Sequence, residues 1–435
     1  MRISKTLPFA IAMALPRTAA SYAAYVLAPA LMVNWLARQS WARAILLIVF
    51  LLGAIGFNML LGMRVSITAF ILELALILPF FAAVLGFKTS RLFDGRRFIR
   101  TLNLIVFAMS FVSLLEMGFP FRLPYIHYLP DFYNGGFGRG GAKIVTIIGF
   151  FGVAEVLSRR GRLSVADFGF LAVAVLNFLV PNFILGMVAG FAGLAIFARR
   201  NQAVLFAGVA ALLVVAPYLQ FRAETKNDMF TRTYGTNPKL YAFKMVGELY
   251  LTEPQTIFLG TGIGQYSSQP AIWASPINRV VGAHDAPDLP GLFAGEAHTQ
   301  SLAPTMLRFQ GNRFAIESSA NKPYSGITTM LAELGLPVTI LILYSAYLVL
   351  WRRSGNDFGR AAFLFFLAVN LLDPQTDSPW FGALMLATCQ AIAADAVRRR
   401  ALPDNSLARE SGIFVPSADT GRRALPRPAF SVERS

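Results

Sequence analysis

Long apolar runs separated by short basic stretches dominate the chain up to Leu219 and return between Tyr324 and Val397. Crossing the roughly 30 Å hydrocarbon core of a bilayer takes about 20 apolar residues as a helix. By that measure the pattern predicts spans over 18–37, 42–62, 65–87, 101–118, 143–157, 165–180, 183–198, 201–219, 324–351, 361–372 and 379–397. The pair inside 165–198 is short, and Pro181-Asn182 is its expected turn. Thr6–Pro16 is apolar enough for a further short helix, so the count is eleven or twelve. The basic start at Met1–Lys5 and the small residues of Thr18–Ala23 also imitate a cleavable secretory signal. A retained helix is the expectation, because multispanning chains rarely need a separate signal. The expected class is an all-α polytopic integral membrane protein.

Basic residues set the orientation of such a chain, because Lys and Arg collect on the cytoplasmic side. They cluster at Arg38/Arg43, Lys88/Arg91/Arg96/Arg97/Arg100, Arg159/Arg160/Arg162, Arg199/Arg200, Arg352/Arg353/Arg360 and Arg398/Arg399/Arg400. Each cluster follows every second span, so a single assignment places all of them in the cytoplasm. The chain then divides into an N-terminal transmembrane bundle (1–219), a large extracytoplasmic loop (220–323), C-terminal transmembrane helices (324–397) and a disordered basic cytoplasmic tail (398–435). The loop is nearly neutral, with nine bases and eight acids. A smaller external segment, Phe119–Gly141, carries Arg122, His127, Arg139 and the run GGFGRGG. All three His of the protein fall on this one face.

Composition agrees with that picture and removes competing classes. The 435 residues are 55% hydrophobic and only 14% charged, with mean hydropathy +0.55. Soluble domains run near 45–50% apolar and about 25% charged. The net charge of +16, from 39 bases against 23 acids, would suggest nucleic acid in a soluble protein. Here it is cytoplasmic-facing Arg, and no nucleic-acid partner is expected. The single Cys389 excludes an intramolecular disulfide.

Familiar cofactor motifs are missing. Gly260-Thr-Gly-Ile-Gly264 has GxGxG spacing outside any βαβ unit, so it does not predict a nucleotide site. There is no P-loop, no HExxH and no Cys/His cluster at zinc spacing, so neither metal nor cofactor is expected. What remains is an external face carrying Arg, His and carboxylates. The planar fork of Arg suits phosphate, and Arg222 and Arg232, just past the membrane exit, lie at headgroup level with Arg64, Arg122 and Arg139 on the same side. For any one of them snorkelling to lipid headgroups is the favoured reading, and it is the group, set against the positive-inside bias, that asks for an anionic partner. Within the spans, Glu73 and Glu333 must face a neighbouring helix or a wet cavity, because a carboxylate in hydrocarbon costs at least about 2–3 kcal/mol. Glu73 then serves as a neutral, hydrogen-bonded packing residue or as a functional group. Asp373 and Asp377, in the external turn DPQTDSP, are expected to be solvated, and Glu116 sits at an external helix end.

Two segments carry a family resemblance. FLGTGIGQY, Phe258–Tyr266, resembles the glycine-rich segment early in the large loop of the O-antigen polymerase and ligase superfamily. YSGITTMLAELGLPV, Tyr324–Val338, resembles that family's re-entry helix, and the order and separation of the two segments also fit. GGFGRGGAKIVTIIGFFG loosely resembles a further stretch. The topology is similar throughout, while motif-level likeness covers about 40 residues. In the ligases and many polymerases a His begins the re-entry motif; here Tyr324 holds that position.

The resemblance implies a GT-C-like, metal-independent membrane glycosyltransferase with one large periplasmic loop, in a bacterial inner membrane. It would polymerise polyprenyl-diphosphate-linked repeat units into O-antigen or exopolysaccharide, with a chain-length regulator and a flippase as partners. Such a step needs cations to stabilise the leaving diphosphate and a base for the acceptor hydroxyl. Arg222, Arg232 and Arg139 are the candidates for the first role, and His298, His284 and Glu296, unranked, for the second. Tyr324, Glu333, Gly262 and Gly264 would shape the site, with Glu333 as an orienting carboxylate. A ligase, a transporter or flippase of lipid-linked glycan using Glu73 and Glu333, and a non-catalytic scaffold stay open. Concentration of the polar residues in one loop argues against the symmetric halves of inverted-repeat transporters. Trp273 and the loop tyrosines suit either sugar stacking or packing.

Overall fold

The computed structural model describes residues 36–88, 94–116, 141–159, 163–179, 193, 196, 235–236, 238–275, 290–310, 324–373 and 375–401. Met1–Ala394 makes one compact unit and Asp395–Ser435 another. The expected spans 183–198 and 201–219, nearly all of 18–37, and the tail beyond Ala401 lie outside the described residues.

The described part is helical, with no strand. The first pair is α1 (Trp41–Leu60) and α2 (Ile67–Val84). Ser66 starts α2 by accepting a hydrogen bond from the Ala69 N–H, satisfying a donor that the helix itself leaves open. Then come α3 (Gly95–Glu116), α4 (Gly141–Leu157) and α5 (Val165–Leu179). The loop region contributes α6 (Pro238–Thr252), two short helices α7 (Thr256–Leu259) and α8 (Gln269–Ala274), and a wide-turned stretch His298–Leu302 that runs into α9 (Ala303–Gln310). The chain closes with α10 (Gly326–Leu334), α11 (Leu336–Ala346), α12 (Asp357–Leu372) and α13 (Pro379–Ala401). Three of these segments are long and apolar enough to cross a membrane: Arg38–Leu60, Ile67–Val84 and Pro379–Val397. Along α1, Ile45, Leu46, Val49, Phe50 and Leu52 lie exposed on one side, a face of the kind hydrocarbon covers.

The expected single span over 324–351 is two helices. Gly335, at φ 77 and ψ 169, occupies a conformation that only glycine adopts readily, and Pro337 in the next turn withholds an N–H from α10. Aromatic rings fill the core where α2, α4, α12 and α13 meet. Phe150 stacks on Phe365 with centroids 4.0 Å apart, Phe151 meets Phe365 and Phe381 edge-on, and Phe381 continues to Phe80 and Phe366. At one end of the bundle two distant basic clusters converge. Arg96, Arg100 and Arg159 bind the buried Glu155, and Arg100 and Arg159 also bind Asp167. Removing Glu155 would leave three cations without their shared counter-charge, whereas the complete network holds α3, α4 and α5 in register.

The break at Gly335 has a measurable consequence. A Cβ there would lie 2.8 Å from the Ile257 and Phe258 backbone, in addition to the dihedral strain. Gly335→Ala is expected to cost about 2 kcal/mol, read as a lowered thermal midpoint of the detergent-solubilised protein. Gly53→Ala, where nothing approaches within 4 Å, should leave the midpoint unchanged or raise it. Equal behaviour of the two variants would contradict the strain argument.

Candidate functional site

The two segments that carry the family resemblance are bound to each other. In Gly260–Ser268 the glycines at 260, 262 and 264 all have positive φ, 66°, 93° and 82°, so the main chain curls and turns successive N–H groups inward. The Glu333 carboxylate, from the last turn of α10, fills that curl. Its Oε2 accepts from the Gly264 N–H at 2.8 Å, and its Oε1 accepts from the N–H groups of Tyr266, Ser267 and Ser268, each at 2.9 Å. Four N–H donors converge on the two carboxylate oxygens, which serve here as acceptors. The main chains also join, the Thr261 N–H donating to Ala332 O and the Gly262 N–H to Glu333 O. A Cβ on Gly264 would stand 2.5 Å from the Ala69 carbonyl oxygen, so the loop lies directly on α2.

Further bonds hold this loop to its surroundings. The Gln265 amide pairs both ways with the Ser66 backbone, accepting at 2.8 Å and donating at 2.9 Å. Asn58 in α1 donates to Gly260 O, and the Ser267 and Thr329 hydroxyls lie 2.7 Å apart. The Gln269 N–H donates to Asp377 Oδ2 at 2.6 Å, which ties the start of α8 to the turn before α13. On the same side Lys143 forms an ion pair with Asp373, and Lys239 donates to Tyr324 O. Asp373 and Asp377 are therefore buried and engaged, contrary to the solvated turn that the sequence suggested. Their neighbours come from α4 and α8, far away in the chain.

His298 lies against this loop with no exposed surface. Its Nδ1 is 2.6 Å from the carbonyl oxygen of Tyr266. A carbonyl can only accept, so Nδ1 carries the proton and Nε2 holds a lone pair. Nε2 is buried and has no hydrogen-bond partner. Burial lowers the imidazole pKa below its ordinary value, against the opposing effect of the Tyr266 bond, so the ring is neutral at pH 7. Burial also pushes the phenols of Tyr266 and Tyr250 up to about 12, which removes both as bases near neutrality. Tyr266 Oη instead lies 3.3 Å from Ser301 Oγ.

Of the two candidate bases among the described residues, His298 has an unpartnered ring nitrogen. The Glu296 carboxylate is occupied, accepting from the Arg64 N–H and from Gln300 Nε2. His284, Arg139, Arg222 and Arg232 lie outside the described residues. Arg64 lies on the rim, its backbone bridged to Glu296 by a second bond and its guanidinium 4.8 Å over the Phe293 ring. Tyr324 packs in the same buried cluster as Tyr266 and Ala297, the residue just before His298. Gly262 abuts Ile55 of α1. Glu73 is buried in α2 with its Oε2 unpartnered, and it lies within electrostatic range of Asp377 and Glu333. The sequence named Glu333, but nothing in the spacing of the two motifs revealed its four donors or selected His298. Among the described residues no group of three or more His, Cys, Asp or Glu is placed to hold a metal ion. No family model, no curated protein and no solved structure matches this chain.

A lowered imidazole pKa links folding to pH. Above about 6.5, the unfolded value, His298 is neutral in both states and costs nothing. As pH falls below that value the unfolded chain takes up a proton that the folded site refuses, and stability is lost until the folded pKa is reached. The thermal midpoint is thus expected to fall between pH 7 and pH 5, and less steeply in His298→Phe. Parallel slopes for the two proteins would show that His298 is not held neutral.

Proposed function

We propose that this chain is a polytopic, metal-independent membrane glycosyltransferase that polymerises polyprenyl-diphosphate-linked oligosaccharide repeat units at the outer face of a bacterial inner membrane. The observation that carries the reading is the join between the two family-like segments. Glu333 of the re-entry helix organises the glycine loop, and the loop fixes His298 as a neutral imidazole with a free Nε2 lone pair. The position of the family's His is Tyr324 here, and the base role is assigned instead to His298, from a turn whose Ala297 belongs to the same buried cluster as Tyr324.

In the transfer, the acceptor sugar hydroxyl attacks the anomeric carbon of the donor glycan. The new C–O bond forms as the bond to diphosphate breaks, and the diphosphate leaves with the electron pair. His298 Nε2 takes the hydroxyl proton. Arg222, Arg232 and Arg139 stabilise the charge developing on the leaving group. Because Nε2 is shielded from bulk water, acceptor entry has to open its cover, which also protects the donor from hydrolysis. Ligase-type transfer would use the same steps with a different acceptor. A transport reading draws on Glu73, whose buried, unpartnered carboxyl oxygen is the kind of group that carries protons in transporters.

In cells that supply lipid-linked repeat units, Arg222→Ala, Arg232→Ala and His298→Ala, each checked for membrane insertion, are expected to reduce the product to single units. Loss of one general base alone is worth about 10²–10⁴ in rate. Full-length glycan from all three variants would overturn both the transfer reading and its site. Under the transport reading, Glu73→Gln would instead strand single units on the cytoplasmic leaflet.

A further inference from the structure

Glu333 and His298 never touch, yet one peptide group lies between them. The unit linking Tyr266 to Ser267 donates its N–H to Glu333 Oε1 at 2.9 Å and accepts the His298 Nδ1–H on its carbonyl oxygen at 2.6 Å. Carboxylate, amide and imidazole thus form a continuous hydrogen-bonded chain, buried throughout. A carboxylate on the N–H side polarises an amide and strengthens its carbonyl as an acceptor, and in a low-dielectric interior that effect passes along the chain. The arrangement parallels sites in which a carboxylate bonds a catalytic imidazole directly, fixes its tautomer and stabilises the imidazolium that forms.

We propose that Glu333 is a positioning residue for His298, acting through the Tyr266–Ser267 peptide as the third member of a base–amide–carboxylate relay. The proposal rests on the transfer reading for its purpose, while its physical content is independent of the substrate. Proton uptake at Nε2 leaves positive charge on the ring, and the relay sets the polarised carbonyl against Nδ1–H as that charge appears. The three other N–H groups on Glu333 hold its carboxyl group aimed at the amide. On the described elements packed against the His298 turn, the titratable residues are Lys239, Tyr241, Lys244, Glu248 and Tyr250 of α6, Arg308 of α9, Tyr266 of the loop, Tyr324 before α10 and Glu296 of the turn itself. Lys244 and Glu248 pair with each other, Glu296 is taken by Arg64 and Gln300, and the imidazole's one hydrogen bond is to Tyr266 O.

The chain has three His, so ¹⁵N-histidine labelling of the full-length protein in detergent gives few signals, and His298→Phe identifies the one of interest. The wild-type ring is expected as the Nδ1–H tautomer. Glu333→Gln keeps an acceptor oxygen for the three N–H groups on Oε1 and removes the charge. The His298 titration midpoint should then move further down, by about half a unit or more, with the tautomer retained. A midpoint that stays put, or rises toward the ordinary value as in a merely loosened, wetter site, overturns the relay. If Glu333→Gln is not recovered folded, the unaltered Glu333 background decides. There, His298→Phe should shift the Ser267 amide proton upfield, and an amide proton that does not move breaks the chain. Neither readout involves glycan. A confirmed relay in a protein whose His298 variants still elongate glycan would retire the transfer reading alone.

Discussion

One buried carboxylate organises the described part of this protein. Removing Glu333 from water carries a penalty of several kcal/mol, which only a full set of donors offsets. The glycine loop supplies four main-chain N–H groups, each hydrogen bond to a charged acceptor contributing about 1.5–3 kcal/mol. The dependence is mutual. Without the carboxylate the loop would bury four unsatisfied donors, and without the loop α10 would end on an uncompensated charge. Placement of a glycine at 260, 262, 264 and 335 follows from this contact, because the curl and the helix break need backbone conformations closed to other residues.

The rest of the site hangs on that contact. Gln265 and Asn58 fasten the loop to the α1–α2 hairpin, Asp377 fastens its far end to the turn before α13, and Ser267 meets Thr329 within α10. A loop so tied cannot shift without disturbing several apolar helices, and that rigidity presents the Tyr266 carbonyl to His298 at a fixed distance. The result is a neutral imidazole in a dry setting.

Much of the architecture was legible in advance, because helix length and apolar content answer directly to bilayer thickness. α1, α2, α4, α5 and α13 fall within a few residues of the expected spans. The site was legible only in part. FLGTGIGQY and YSGITTMLAELGLPV stood out as motifs, and Glu333 as a carboxylate that needed partners. The partners stayed hidden because they are backbone N–H groups, which every residue but proline carries and no side-chain pattern marks. Asp373 and Asp377 looked solvated for a related reason: a polar turn sequence carries no record of Lys143 or of the Gln269 N–H, which reach it from elsewhere in the chain.

By itself the sequence determined the helical class, three apolar segments long enough for a bilayer, and the two glycine-bearing segments. Those are properties of local composition and periodicity, set by solvent and helix geometry. The tertiary structure alone decided that the segments meet, that Glu333 takes four amides, that Gly335 divides the 324–351 stretch against the Ile257–Phe258 backbone, and that His298 lies on the Tyr266 carbonyl. Each is a contact across tens to hundreds of residues, with an energy that exists only once both partners have left water together.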